Sequence, residues 1–225
     1  MRELSETQKI SARKYLRNYV EAVQRRFIRD MADVFGLLTF PALKLKFSYS
    51  RGDAYIPEDE ALIEISTQNA THHCCKPCWK HWVRSRGYVV AHEQAHELHF
   101  FTNPILEKEE KGTYEPERFG WSEQGKYLIE TFAELSALVF YDKISRLDNS
   151  LLLSISYYDY FLPAFKLFSD NRRNAEGLLK KLAQMNVKEA SPIINPYKHF
   201  LSSPRISKEL CFGVCVKSAD LDRVA

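Results

Sequence analysis

The stretch whose reading decides the fold is Tyr88-Val89-Val90-Ala91-His92-Glu93-Gln94-Ala95-His96-Glu97-Leu98-His99-Phe100-Phe101. It predicts a buried helix from about Val83 to Phe101, stopped near Asn103-Pro104. Residues four apart on a helix stack one turn above each other on the same face. His92 and His96 therefore point two imidazoles at one ion. Glu93 lies one residue further round, at the edge of that face, where it reaches a water on the metal without ligating the metal itself. The apolar residues on both sides of the motif keep such a site dry.

A catalytic zinc takes a third protein ligand and leaves one position open. His99 shares the face but fails on distance. The helix rises about 10 Å between residues 92 and 99, at roughly 1.5 Å per residue, whereas ligand atoms sit about 2.0–2.2 Å from a zinc ion. Thr102 occupies the sixth position after His96, so an extended three-histidine pattern is absent. The next helix, expected from Ser122 to Arg146, offers more. Between Tyr127 and Tyr141 it is almost wholly apolar apart from Glu130 and Glu134, one turn apart on one face. A buried carboxylate is costly unless it is paired or binds metal. Glu130 is read as the third ligand, with Glu134 accepting from the free ring nitrogen of a zinc-bound histidine. The reverse assignment stays open.

Upstream, Ser5 and Gln8 have capping-box spacing, and apolar residues recur at helical steps from Ile10 to Val34, so residues 5–35 read as one amphipathic helix stopped by Gly36. Its other face carries Lys9, Arg13, Lys14, Arg17, Arg25, Arg26 and Arg29. Leu43–Tyr49 and Ala61–Thr67 read as two strands around the turn Arg51-Gly52-Asp53. Residues 103–121 read as a charged surface loop whose length suits a gate over a cleft. Helices are expected over about 150–169 and 171–186, followed by an irregular tail. The fold class is α+β, mainly helical, with a small antiparallel or mixed sheet before the metal helix. One domain is expected over 1–225: an N-terminal helix to residue 36, a core over 40–146, and a helical extension over 147–225.

His92, Glu93, His96, Glu130 and Glu134 together resemble the zincin metallopeptidases, in their gluzincin branch, over roughly residues 40–146. Those proteins carry two histidines and a catalytic glutamate on one helix, a third ligand on a following helix, and a small sheet upstream. Three features depart from the familiar pattern: the charge of Glu97, the long gap between His96 and Glu130, and Glu134 where Asp is common. They leave the subfamily open. The resemblance implies a zinc-dependent endopeptidase acting on a peptide or protein substrate. Zinc would lower the pKa of its water, and Glu93 would take the proton and pass it to the leaving amine. A second donor to the oxyanion is expected from Tyr157, Tyr158, Tyr160 or His199, with nothing to select among them. The alternative is a zincin scaffold kept for binding or regulation, which would have no need of the intact base Glu93.

Composition agrees with a folded domain. Of 225 residues, 45% are hydrophobic and 13% aromatic, which excludes disorder, and eight Gly with nine Pro argue against a turn-rich sandwich. A net charge of +3, from 32 basic and 29 acidic residues, neither demands nor excludes an anionic partner. Nucleic acid bound through the basic first helix is the weaker alternative to a solvated helix face. No secretory signal and no membrane-spanning run is visible, so a cytoplasmic protein with reduced thiols is expected. Five cysteines fall at Cys74, Cys75 and Cys78, then at Cys211 and Cys215. Cys75, Cys78, Cys211 and Cys215 are candidate ligands of a second, structural zinc, with buried or unpaired thiols as the plainer reading.

Overall fold

The computed structural model describes residues 5–48, 62–67, 76–104, 106, 122–148, 151–152 and 160–202. The first helix, α1 (Glu6–Phe35), forms where the sequence signals it. Ser5 accepts from Gln8 N–H while the Gln8 side chain accepts from Ser5 N–H, and Gly36 at φ 67° closes the other end. A left-handed residue there satisfies the last carbonyls without Cβ strain. Its apolar stripe, Leu16, Val20, Val23, Phe27 and Met31, is buried.

Two strands follow, β1 (Lys44–Ser48) and β2 (Leu62–Ser66). They run parallel, with Lys44 opposite Leu62 and Ser48 opposite Ser66. This corrects the expectation of an antiparallel or mixed sheet. The thirteen residues between Ser48 and Leu62 are long enough for the crossover that parallel pairing needs, at about a dozen residues or more. In this register Lys46 faces Glu64, and their charges meet at 3.1 Å. Leu16, Val20, Leu43, Ile63, Ile65, Val83 and Val90 form a small core that joins the sheet to α1 and the next helix.

That helix, α2 (Lys76–Thr102), begins a full two turns before the expected start. It packs against α3 (Glu123–Lys143) and α1. Ser122 caps α3 by accepting from Gly125 N–H, and fifteen of its residues are buried. After α3, Ser145 adopts φ 54° and ends the helical path. The C-terminal part holds α4 (Phe161–Asn171), a 3₁₀ turn over Arg172–Asn174, α5 (Ala175–Leu182) and α6 (Val187–Ile194), then a 3₁₀ segment over Asn195–Ser202. The expected irregular tail after residue 186 is thus helical to residue 202. Asn186 and Glu189 form a capping box, a sequence signal for α6. The expected helix over 171–186 is α5 preceded by the 3₁₀ turn. Only Leu151–Leu152 and α4 represent the one expected over 150–169, because 153–159 lie outside the described residues.

The main core gathers Phe27 and Met31 of α1, Tyr88, Ala91, Ala95 and Leu98 of α2, and the apolar side chains of α3 from Tyr127 to Tyr141, with α4–α6 around them. Thus α3 is the central rod, and α2 lies along it. No described helix is long and apolar enough to cross a membrane. The turn Arg51-Gly52-Asp53 and most of the 103–121 loop lie outside the described residues.

Candidate metal centre

The pairing of α2 with α3 brings the motif against the two glutamates. His92 and His96 stack edge to face, ring centroids 4.9 Å apart, with their Nε2 atoms 3.2 Å from each other. Glu130 Oε2, from α3, lies 3.3 Å from His92 Nε2 and 3.9 Å from His96 Nε2. Ligand atoms about 2.0–2.1 Å from a tetrahedral ion stand about 3.3 Å apart. Two imidazole nitrogens and one carboxylate oxygen, spaced in this way, fit zinc in both donor type and separation. His92, Glu93 and His96 also offer a cluster on α2 alone, with ligand atoms within 4.8 Å of one another. Glu130 adds a carboxylate from α3 beside the same two Nε2 atoms.

Glu134 stands behind the pair. Its Oε1 is 3.3 Å from His92 Nδ1, at hydrogen-bond length though not aligned as a formed bond. Its Oε2 accepts from Tyr88 Oη at 2.6 Å. Side-chain exposure separates the two glutamates: 24% for Glu130 and 3% for Glu134. Glu130 therefore lies at a partly open mouth with the two Nε2 atoms, while Glu134 is sealed beneath the rings.

These groups perturb one another. Burial disfavours a charged His92, yet the Glu134 and Glu130 carboxylates override it and hold the ring well above its ordinary value. Burial takes His96 down to about 4 against the pull of Glu130. For Glu130, burial opposes ionisation, but the hydrogen bond with His92 and the charges of His96, His92 and Lys126 bring it to about 2. Glu93 is raised to about 7, chiefly by burial, with His92 lowering it and Glu130 and Glu134 raising it further.

Two residues not singled out beforehand complete the setting. Tyr88, four residues before His92, shares its face and reaches Glu134. Gln94, inside the motif but on the opposite face, is fully buried. Its Oε1 accepts from Leu43 N–H at 3.0 Å and from Gln24 Nε2 at 2.9 Å, and its Nε2 donates to Pro41 O at 2.7 Å. Gln24 also donates to Leu43 O at 2.7 Å. This network ties the metal helix to α1 and to the chain entering β1. A polar residue within an apolar helical run was its only signal in the sequence.

His99 lies away from the cluster, as the helical rise requires. It is fully buried, stacks on Phe132 at 4.0 Å, and finds no hydrogen-bond partner for either ring nitrogen among the described residues. Burial, helped by His96, lowers it to about 3. Tyr160 packs near Tyr127 and His199 against Phe200, while Tyr157 and Tyr158 lie outside the described residues. Cys75, Cys211 and Cys215 also lie outside them, as does the side chain of Cys78 in the first turn of α2. Along the basic face of α1, neighbouring acids take up several charges: Glu6 pairs with Lys9, Glu21 with Arg25, and Asp30 with Arg26 and Arg29.

Compared with known proteins, the chain matches no family model, no curated protein and no solved structure.

Proposed function

We propose that the chain is a zinc-dependent hydrolase of peptide bonds, with a zincin-like fold of gluzincin type. His92, His96 and Glu130 are its metal ligands and Glu93 is its general base. The observation that supports this most is the mutual spacing of the two Nε2 atoms and Glu130 Oε2, at 3.2, 3.3 and 3.9 Å. Zinc, when bound, supplies a Lewis acid and lowers the pKa of the water that it carries. Glu93 takes a proton from the attacking water and returns it to the leaving amine, so that a C–O bond replaces the C–N bond. Glu134 holds His92 by its Nδ1 side, which keeps Nε2 free to ligate. Tyr88 in turn holds Glu134.

The test is metal content by plasma mass spectrometry, with cleavage of a mixed peptide library, for wild type beside His96→Ala, Glu130→Ala and Glu93→Gln. One zinc per chain is expected in wild type and Glu93→Gln, and none in the other two. Cleavage is expected in wild type only. Chains that hold no metal after zinc loading and dialysis would remove the proposal. Zinc retained without any cleavage would leave a binding scaffold instead.

A further inference from the structure

A second cleft lies at the far end of α2, away from the metal ligands. It has a volume of about 290 Å³ and is lined by Tyr15, Tyr19, Lys80, Val83, Arg84 and Arg146. Three cations, two on α2 and one just after α3, line it, and no carboxylate is among its described lining residues. Asp148 stands nearby and pairs with Arg84 at 2.7 Å. That pair leaves the cleft with the charges of Lys80 and Arg146 in excess.

The wall on the α1 side is aromatic. Tyr15 is 52% exposed, parallel to Tyr19 within 6°, and 5.1 Å from the Trp79 ring. A half-open ring beside a second aromatic is a stacking platform for a flat ligand. Beneath it the hydroxyls of Tyr19 and Tyr141 are buried beside one another, and burial together with the neighbouring Tyr19 hydroxyl raises Tyr141 well above its ordinary value. Gly87 lets them approach α2: a Cβ there would stand 2.7 Å from Tyr19 Cε1 and 2.9 Å from Tyr141 Oη.

We propose that this cleft binds a nucleotide, with its phosphate among Lys80, Arg84 and Arg146 and its base on Tyr15. Guanidinium groups match phosphate oxygens in charge and in donor geometry. The volume lies at the small end of ligand sites, which suits one nucleotide unit and not a dinucleotide. That unit is either a free mononucleotide or one residue of a single strand. The site is independent of the metal reading, because Arg84 and His92 are eight residues apart, about 12 Å along the helix.

Calorimetric titration of the full chain with adenosine monophosphate, inorganic phosphate and a short single-stranded oligoadenylate tests this. One mononucleotide per chain is expected. Lys80→Glu and Arg146→Glu, both at exposed positions, each weaken it about tenfold or more. Tyr15→Ala weakens the nucleotide and leaves inorganic phosphate unchanged. Lys188→Glu, on α6, serves as the control for general charge and leaves all affinities unchanged. If only the oligonucleotide binds, and the same variants abolish this, the ligand is a strand and the site stands. Absence of binding by both, or equal weakening by Lys188→Glu and Arg146→Glu, overturns the proposal. Stripping zinc leaves the expected nucleotide affinity intact, so failure here and failure of the hydrolase reading are told apart.

Discussion

Tyr88 Oη lies 2.6 Å from Glu134 Oε2, within the short range of a hydrogen bond to a carboxylate. The other oxygen of that carboxylate faces His92 Nδ1 at 3.3 Å. One buried glutamate thus links a tyrosine to the back of a histidine whose front faces Glu130. Fixing the orientation of a ligand from behind is how outer groups strengthen a metal site.

Tyr88→Phe should therefore weaken zinc binding by about tenfold, in the range found for such supporting groups, while keeping the ring packed. Competition against a chromogenic chelator measures it, with helicity by circular dichroism as the check on folding. Wild-type affinity in this variant would show that Glu134 needs no help from Tyr88.

Glu130 and Glu134 should differ in kind. Glu130→Gln is expected to lose stoichiometric zinc after dialysis. Glu134→Gln should keep it at an affinity about 10–100-fold lower. The reverse order would exchange their roles and put Glu134 on the metal.

Gln94→Ala removes both the acceptor of Leu43 N–H and the donor to Pro41 O. Buried polar groups left without partners cost about 1–3 kcal/mol each, so a loss of about 2–4 kcal/mol in stability is expected. Urea denaturation gives the number. A midpoint indistinguishable from wild type would mean that the strand entry is held by its packing alone.

The pH dependence of the metal-free chain should carry the mark of His99. Its folded value, about 3, lies below the ordinary 6.5, so the unfolded chain binds the extra proton in that window. Its contribution is present in full above about 6.5 and is lost as pH falls towards 3. His99→Phe should flatten the stability profile there by up to about 1.4 kcal/mol per pH unit. Parallel profiles for the two proteins would place the proton uptake elsewhere, with His96 the next group to examine.

Local patterns carried much of this molecule. Four-residue spacing put His92 over His96, and the same rule put Glu130 over Glu134, whatever the helices pack against. The box at Ser5 and Gln8 and the stop at Gly36 were legible because capping is a contact between neighbours in sequence. The box at Asn186 and Glu189 was equally local, and attention to it would have found α6.

What only the tertiary structure decided depends on contacts between distant residues. The rotation of α3 against α2 turned Glu130 to the open Nε2 side and Glu134 to the sealed Nδ1 side. Glutamates one turn apart are equivalent in the sequence until a partner helix distinguishes them. Parallel pairing of the strands likewise depends on contacts between them, since alternation within a strand looks the same in either direction. The shared tasks of Tyr88 and Gln94 follow from packing too, because a side chain's partner across the core leaves no mark on its own neighbours in sequence.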